Sequence, residues 1–179
     1  MSVDAATVEA QIGRTPAASW RVAARCSKGH PTVIANSPRR DDGSPFPTLY
    51  WLTCPHLCEQ VSKLESSGAT DSWAKRVESD PHLAFELLAA DQQYRAAREI
   101  EGMGDDPCSD VGIAGQRDPR ATKCLHAHVA TFLAGIPDPI GRDTVASVEP
   151  ECRHDLCKAL LECDTGPQSA SEAAELRRR

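Results

Sequence analysis

Cys124-Leu125-His126-Ala127-His128 places a thiol and two imidazoles within five residues. On a helix, residues four apart share a face, so Cys124 and His128 could hold one ion. His126 would then point elsewhere unless the helix end is distorted. Cys26 and Cys54 fall at the ends of other predicted elements. Cys54 sits where a strand gives way to a helix, and exposed N–H groups with the helix dipole favour a thiolate there. If these points converge, Cys26, Cys54, Cys124 and His126 could bind zinc as three thiolates and an imidazole. Three thiolates could also hold an iron–sulfur cluster, and three protein ligands would leave a coordination position for substrate. A metal-free alternative makes Cys54 a nucleophile with His126 or His56 as its base. The plainest alternative makes all three cysteines small buried hydrophobes.

The other cysteines carry weaker signals. Cys58 follows Cys54 by one helical turn and is a core residue or an extra ligand, and Cys108 falls in a loop. Cys152, His154, Cys157 and Cys163 cluster near the end, which invites a second metal site, but Leu156, Leu160 and Cys163 form an ordinary apolar stripe, so packing is the favoured reading. There is no G-x-S-x-G elbow, Walker A loop or H-E-x-x-H pair.

The elements that must position these residues follow from periodicity. Residues 4–12 predict a short helix, ended by Thr15-Pro16. Trp20-Arg-Val-Ala-Ala-Arg-Cys26 alternates as a half-buried strand does, with Trp20, Val22, Ala24 and Cys26 on one face. A turn at Lys28-Gly29-His30-Pro31 leads to a second strand, Thr32–Ala35, and Thr48–Thr53 predicts a third ending at Cys54. Pro55 suits the first turn of a helix, with Leu57, Val61 and Leu64 at helical spacing and Ser66-Ser67-Gly68 as its stop. Asp80-Pro81 starts another, with Leu83, Leu87, Ala90, Tyr94 and Ala97 along one face. A glycine- and proline-rich loop covers 102–120, a helix covers about 121–134, and an amphipathic stretch runs from Gly141 to about Cys163. Together these predict an α+β fold: a small antiparallel sheet of about three strands over residues 19–54, covered by several helices. The expected organisation is one domain over 8–142, a C-terminal helical extension over 143–163, and a polar, disordered tail over 164–179.

Composition bounds the rest. The chain has 179 residues, 40% of them hydrophobic but only 4% aromatic, which suits one domain with an aliphatic core. A net charge of −6 argues against a general nucleic-acid or anionic-membrane binder. Locally the balance reverses: between Ile12 and Arg40 there is no acid, while Arg14, Arg21, Arg25, Lys28, Arg39 and Arg40 are basic. This segment could bind a small anion through Arg25, Lys28 or Arg39; alternatively it is a solvated strand face balanced by acidic helices. No apolar run approaches the ~18 residues of a membrane span, and Met1–Gln11 reads as no secretory signal. Eight cysteines without an export signal imply reduced thiols in a cytoplasm. A third kind of function, a non-enzymatic interaction module, would use Phe46, Tyr50 and Trp51 as core or partner surface. Protein partners are not specified by these patterns.

Several of these segments together resemble the DUF501 family, bacterial proteins of unknown function well represented in actinobacteria. The matching residues are Gln11–Arg14, Val22–Cys26 with Gly29 and Pro31, Asp42–Pro55, Lys123–His126 and Pro139–Gly141. The run Pro-Phe-Pro-Thr-Leu-Tyr-Trp-Leu-Thr-Cys-Pro over 45–55 is the most specific. The resemblance implies that Cys26, Cys54, Cys124 and His126 belong to the family pattern, whereas Cys58, His128 and the C-terminal cysteines do not. It therefore favours His126 over His128 as the functional imidazole, against helical spacing. It implies no activity.

Overall fold

All six residues of strand β2 (Pro31–Asn36) are buried, so it needs partners on both edges and cover on both faces. β1 (Trp20–Arg25) and β3 (Tyr50–Leu52) flank it, both antiparallel, in the order β1-β2-β3. The computed structural model describes residues 2–149, 151–152 and 154–163, and within them this sheet and its helices form the α+β fold the patterns predict. β3 is shorter than expected, yet its pairing runs on: Asn36 N–H donates to Leu49 O at 2.8 Å and Thr53 N–H to Thr32 O at 2.9 Å. In β1 the register slips on either side of Ala24. Such a bulge breaks the two-residue alternation, and both Ala23 and Ala24 pack against the core.

Local signals set the helix ends. Helix α1 (Val3–Ile12) starts at Ser2, whose Oγ accepts from the Ala5 N–H at 3.2 Å. Helix α2 (Pro55–Ser66) follows Cys54 directly, with Pro55 in its first turn as expected. Helix α3 (Ala69–Ser79), which the sequence reading passed over, buries Trp73 and Val77. Helix α4 (Pro81–Glu101) is capped by Asp80, which accepts from His82 and Leu83, and buries Leu83, Leu87, Ala90 and Tyr94. Helix α5 (Leu125–Leu133) begins four residues later than expected, leaving Cys124 outside it as the N-cap. The expected amphipathic run to Cys163 is two helices, α6 (Pro139–Ala146) and α7 (Leu156–Cys163), and α7 packs against α1. The expected tail, 164–179, and the side chain of Cys163 lie outside the described residues.

Two buried polar nodes tie these elements together. Arg98 of α4 is fully buried and gathers the loop that follows it. Its guanidinium donates to Asp106 at 2.8 Å, to Val111 O at 2.6 Å, and to the carbonyls of Pro47 and Cys108. His128 of α5 meets Asp138 at 2.7 Å, both essentially buried, while the other Asp138 oxygen caps α6 through the Gly141 N–H. A Cβ on Gly141 would lie 2.2 Å from the His128 carbonyl oxygen, so only glycine lets α5 and α6 approach this closely. Among the described residues, no helix is long and apolar enough to cross a membrane.

Candidate metal centre

Cys124 stands before α5 in extended backbone (φ −149°, ψ 113°), so the helical pairing of Cys124 with His128 does not form. His128 is instead held by Asp138, and His126, in the first turn, turns back toward the cap. Its Nδ1 lies 3.9 Å from Cys124 Sγ and 3.2 Å from Oε2 of Glu65, near the C-terminal end of α2. The other Glu65 oxygen accepts from the Leu125 N–H at 2.6 Å, satisfying one of the donors a helix start leaves open. Ligand atoms of Glu65, Cys124 and His126 all lie within 4.8 Å of one another, and all three residues are half-buried. On its far side, His126 Nε2 lies 3.1 Å from the Cys58 carbonyl oxygen and 3.3 Å from Ser62 Oγ. Burial works against a charged imidazole here. The bond to Cys124, the charges of Glu65 and Cys124, and the Cys58 carbonyl outweigh it and carry the ring up to about 9. Cys124 and His126, but not Glu65, line a cavity of about 450 Å³ together with Tyr50, Trp51, Tyr94 and Lys123.

Cys26 and Cys54 lie elsewhere. Cys26 follows β1 in the tight turn to β2, its N–H donating to His30 O at 3.0 Å. Cys54 joins β3 to α2. Burial pushes its thiol up, more than the N–H groups of Leu57 and His56 lower it, so the helix start does not activate Cys54 as the sequence suggests. Both cysteines line a second cavity, of about 260 Å³, together with Cys152 and Cys157 from the C-terminal segment. The four residues expected to converge are thus divided, Cys26 with Cys54 and Cys124 with His126. Cys58 stands between the two groups, pushed up to about 12 by burial and then by the charges of Cys54 and Cys124.

The basic segment is largely matched from within. Arg25 binds both oxygens of Asp4 and the Gly29 carbonyl, Arg39 binds both oxygens of Asp105, and Arg21 binds Glu101. Lys28 lines the second cavity, beside His30, whose Nε2 is 2.9 Å from Asp155. The aromatic residues also have internal partners: Tyr50 packs edge-on to Tyr94, while Arg40 covers Phe46 and Arg14 covers Trp51.

Glu65, Cys152 and Cys157 were not among the expected site residues. Glu65 carries no spacing signal, because it lies on another helix far back in the chain. Cys152 and Cys157, five residues apart, do carry a signal in their clustering, which the apolar stripe of Leu156 and Leu160 masks.

Comparison with protein families matches residues 22–146 to the family described as Protein of unknown function (DUF501). No curated protein and no solved structure matches the chain.

Proposed function

We propose a function from the site alone, because the chain belongs to the DUF501 family and that family is of unknown function: a metalloprotein whose ion is held by Glu65, Cys124 and His126. The observation that carries this reading is the approach of a carboxylate oxygen, a thiol sulfur and an imidazole nitrogen within 4.8 Å of one another. The mixed oxygen, sulfur and nitrogen set suits zinc, a borderline-soft ion without a strong geometric preference of its own. His126 has the arrangement of a ligating histidine. Nδ1 faces the other two ligands while an Nε2–H can donate to the Cys58 carbonyl, fixing tautomer and ring.

With three protein ligands, a four-coordinate ion held here would keep one position for water or substrate and would supply Lewis-acid chemistry or an activated water beside the cavity that Cys124 and His126 line. A small anionic ligand there would face Lys123. Arg25 and Arg39 are less suited to that role, since each already holds an aspartate. Without metal, the same contact supports a thiol enzyme with Cys124, rather than Cys54, beside His126.

Elemental analysis tests the metal reading. The purified chain, dialysed against zinc and then buffer, is expected to retain one equivalent at this centre, lost in Cys124→Ser and in His126→Ala. Zinc retention unchanged by both substitutions would contradict it.

A further inference from the structure

We infer that Cys26, Cys54, Cys152 and Cys157 form a second site, independent of the Glu65–Cys124–His126 centre, that binds an iron–sulfur cluster of the four-iron class. Four thiols from four stretches of chain line one cavity: the end of β1, the start of α2, the segment before α7 and the first turn of α7. Four thiolates are the full ligand set of such a cluster. Their spacing separates it from a single ion. Zinc–sulfur bonds of ~2.3 Å would draw tetrahedral thiolates to within about 4 Å of one another. Among the described residues the close trio of ligand atoms is Glu65, Cys124 and His126, and no three of these thiols form one. The space of about 260 Å³ that all four line is larger than one ion needs and has room for several irons between the thiolates.

A second observation points the same way. Gln11 of α1, 5% exposed, donates its Nε2–H to Cys157 Sγ at 3.2 Å as well as to the Pro31 carbonyl at 2.8 Å. A neutral thiol is a weak acceptor and burial pushes the free Cys157 thiol up to about 11, but a buried amide already aimed at the sulfur is the donor that a metal-bound thiolate would accept from. N–H groups of His56 and Leu57 likewise face Cys54 without closing a regular cap. Hydrogen bonds to sulfur are a standard means by which proteins support and tune clusters. All four cysteines are free rather than paired in disulfides.

The test uses the full chain, purified without oxygen and reconstituted with ferric iron, sulfide and excess dithiothreitol, which supplies the two electrons each cluster requires. The expected product is brown and carries about four iron and four sulfide per chain. Cys152→Ala, at a half-buried position outside the helices, and Cys157→Ala are each expected to lose most of the colour, while Cys108→Ser keeps it. Circular dichroism of each variant separates loss of ligand from loss of fold, and Cys152→Ala is the decisive one if Cys157→Ala fails to fold. Cys124→Ser should lose zinc from the first centre yet keep the colour, so failure of either site is read separately. Three results would overturn the cluster: no iron or sulfide after reconstitution, zinc bound by these thiols in preference to iron and sulfide, or colour unchanged in folded Cys152→Ala.

Discussion

His126 divides its two nitrogens between two tasks: Nδ1 faces Cys124 and Glu65, and Nε2 meets the Cys58 backbone. Helical spacing preferred His128, because it treated Cys124 as helical. As the N-cap in extended backbone, Cys124 is two residues from an imidazole that folds back over it, a geometry that strict periodicity cannot foresee. His128 has a structural task at Asp138 instead. The cysteines differ as sharply. With its thiol pushed up to about 12 by burial and by the charges of Cys54 and Cys124, Cys58 should alkylate in the native chain at pH 8 on the order of a hundredfold or more slower than in the unfolded chain. Mass-spectrometric labelling of native and urea-unfolded samples checks this, and equal rates in both would refute the assigned burial.

At the scale of elements, most of what was legible came from caps and stops: Asp80-Pro81, Cys54-Pro55 and the turn at Gly29 stand where the patterns put them. Helix α3 was missed although Trp73 and Val77, four residues apart, mark its buried face. Where the metal ligands would meet was not legible, since it depends on α2 bringing Glu65 to the start of α5, and no local pattern reports that contact. The closeness of α5 to α6 rests on Gly141. Gly141→Ala would drive a methyl group into the His128 carbonyl and should lower stability by about 1–3 kcal/mol, the usual range for overpacking. Arg98→Met would leave Asp106, 6% exposed, without its cation. Removing one partner of a buried pair costs about 3–5 kcal/mol, which for a chain of this length lowers the thermal midpoint by about 10 °C. Thermal melts followed by circular dichroism measure both. A midpoint unchanged in Arg98→Met would show that the guanidinium does not anchor the loop.

The whole molecule joins a basic strand segment to acids from distant parts of the chain. Asp4, hydrogen-bonded by Arg25, and Asp105, hydrogen-bonded by Arg39, both titrate below their ordinary value of 3.8. The unfolded chain therefore binds more protons than the folded one in the window just below that value. The contribution of these pairs is fully present above it and is lost as pH falls through the lower folded values. Urea unfolding between pH 6 and pH 2 should show stability falling below about pH 4, less steeply for Asp4→Asn; a loss of stability already complete by pH 5 would assign acid sensitivity to other groups. The same long-range closure brings α7 against α1 and gathers Cys152 and Cys157 beside Cys26 and Cys54.

A metal held by Glu65, Cys124 and His126 has a distinct signature in X-ray absorption at the zinc edge of the full chain carrying one equivalent of zinc. The expected spectrum has one sulfur at ~2.3 Å and the remaining ligands nitrogen or oxygen at ~2.0–2.2 Å, with the sulfur shell lost in Cys124→Ser. A shell of three or four sulfurs, or one untouched by Cys124→Ser, would contradict it.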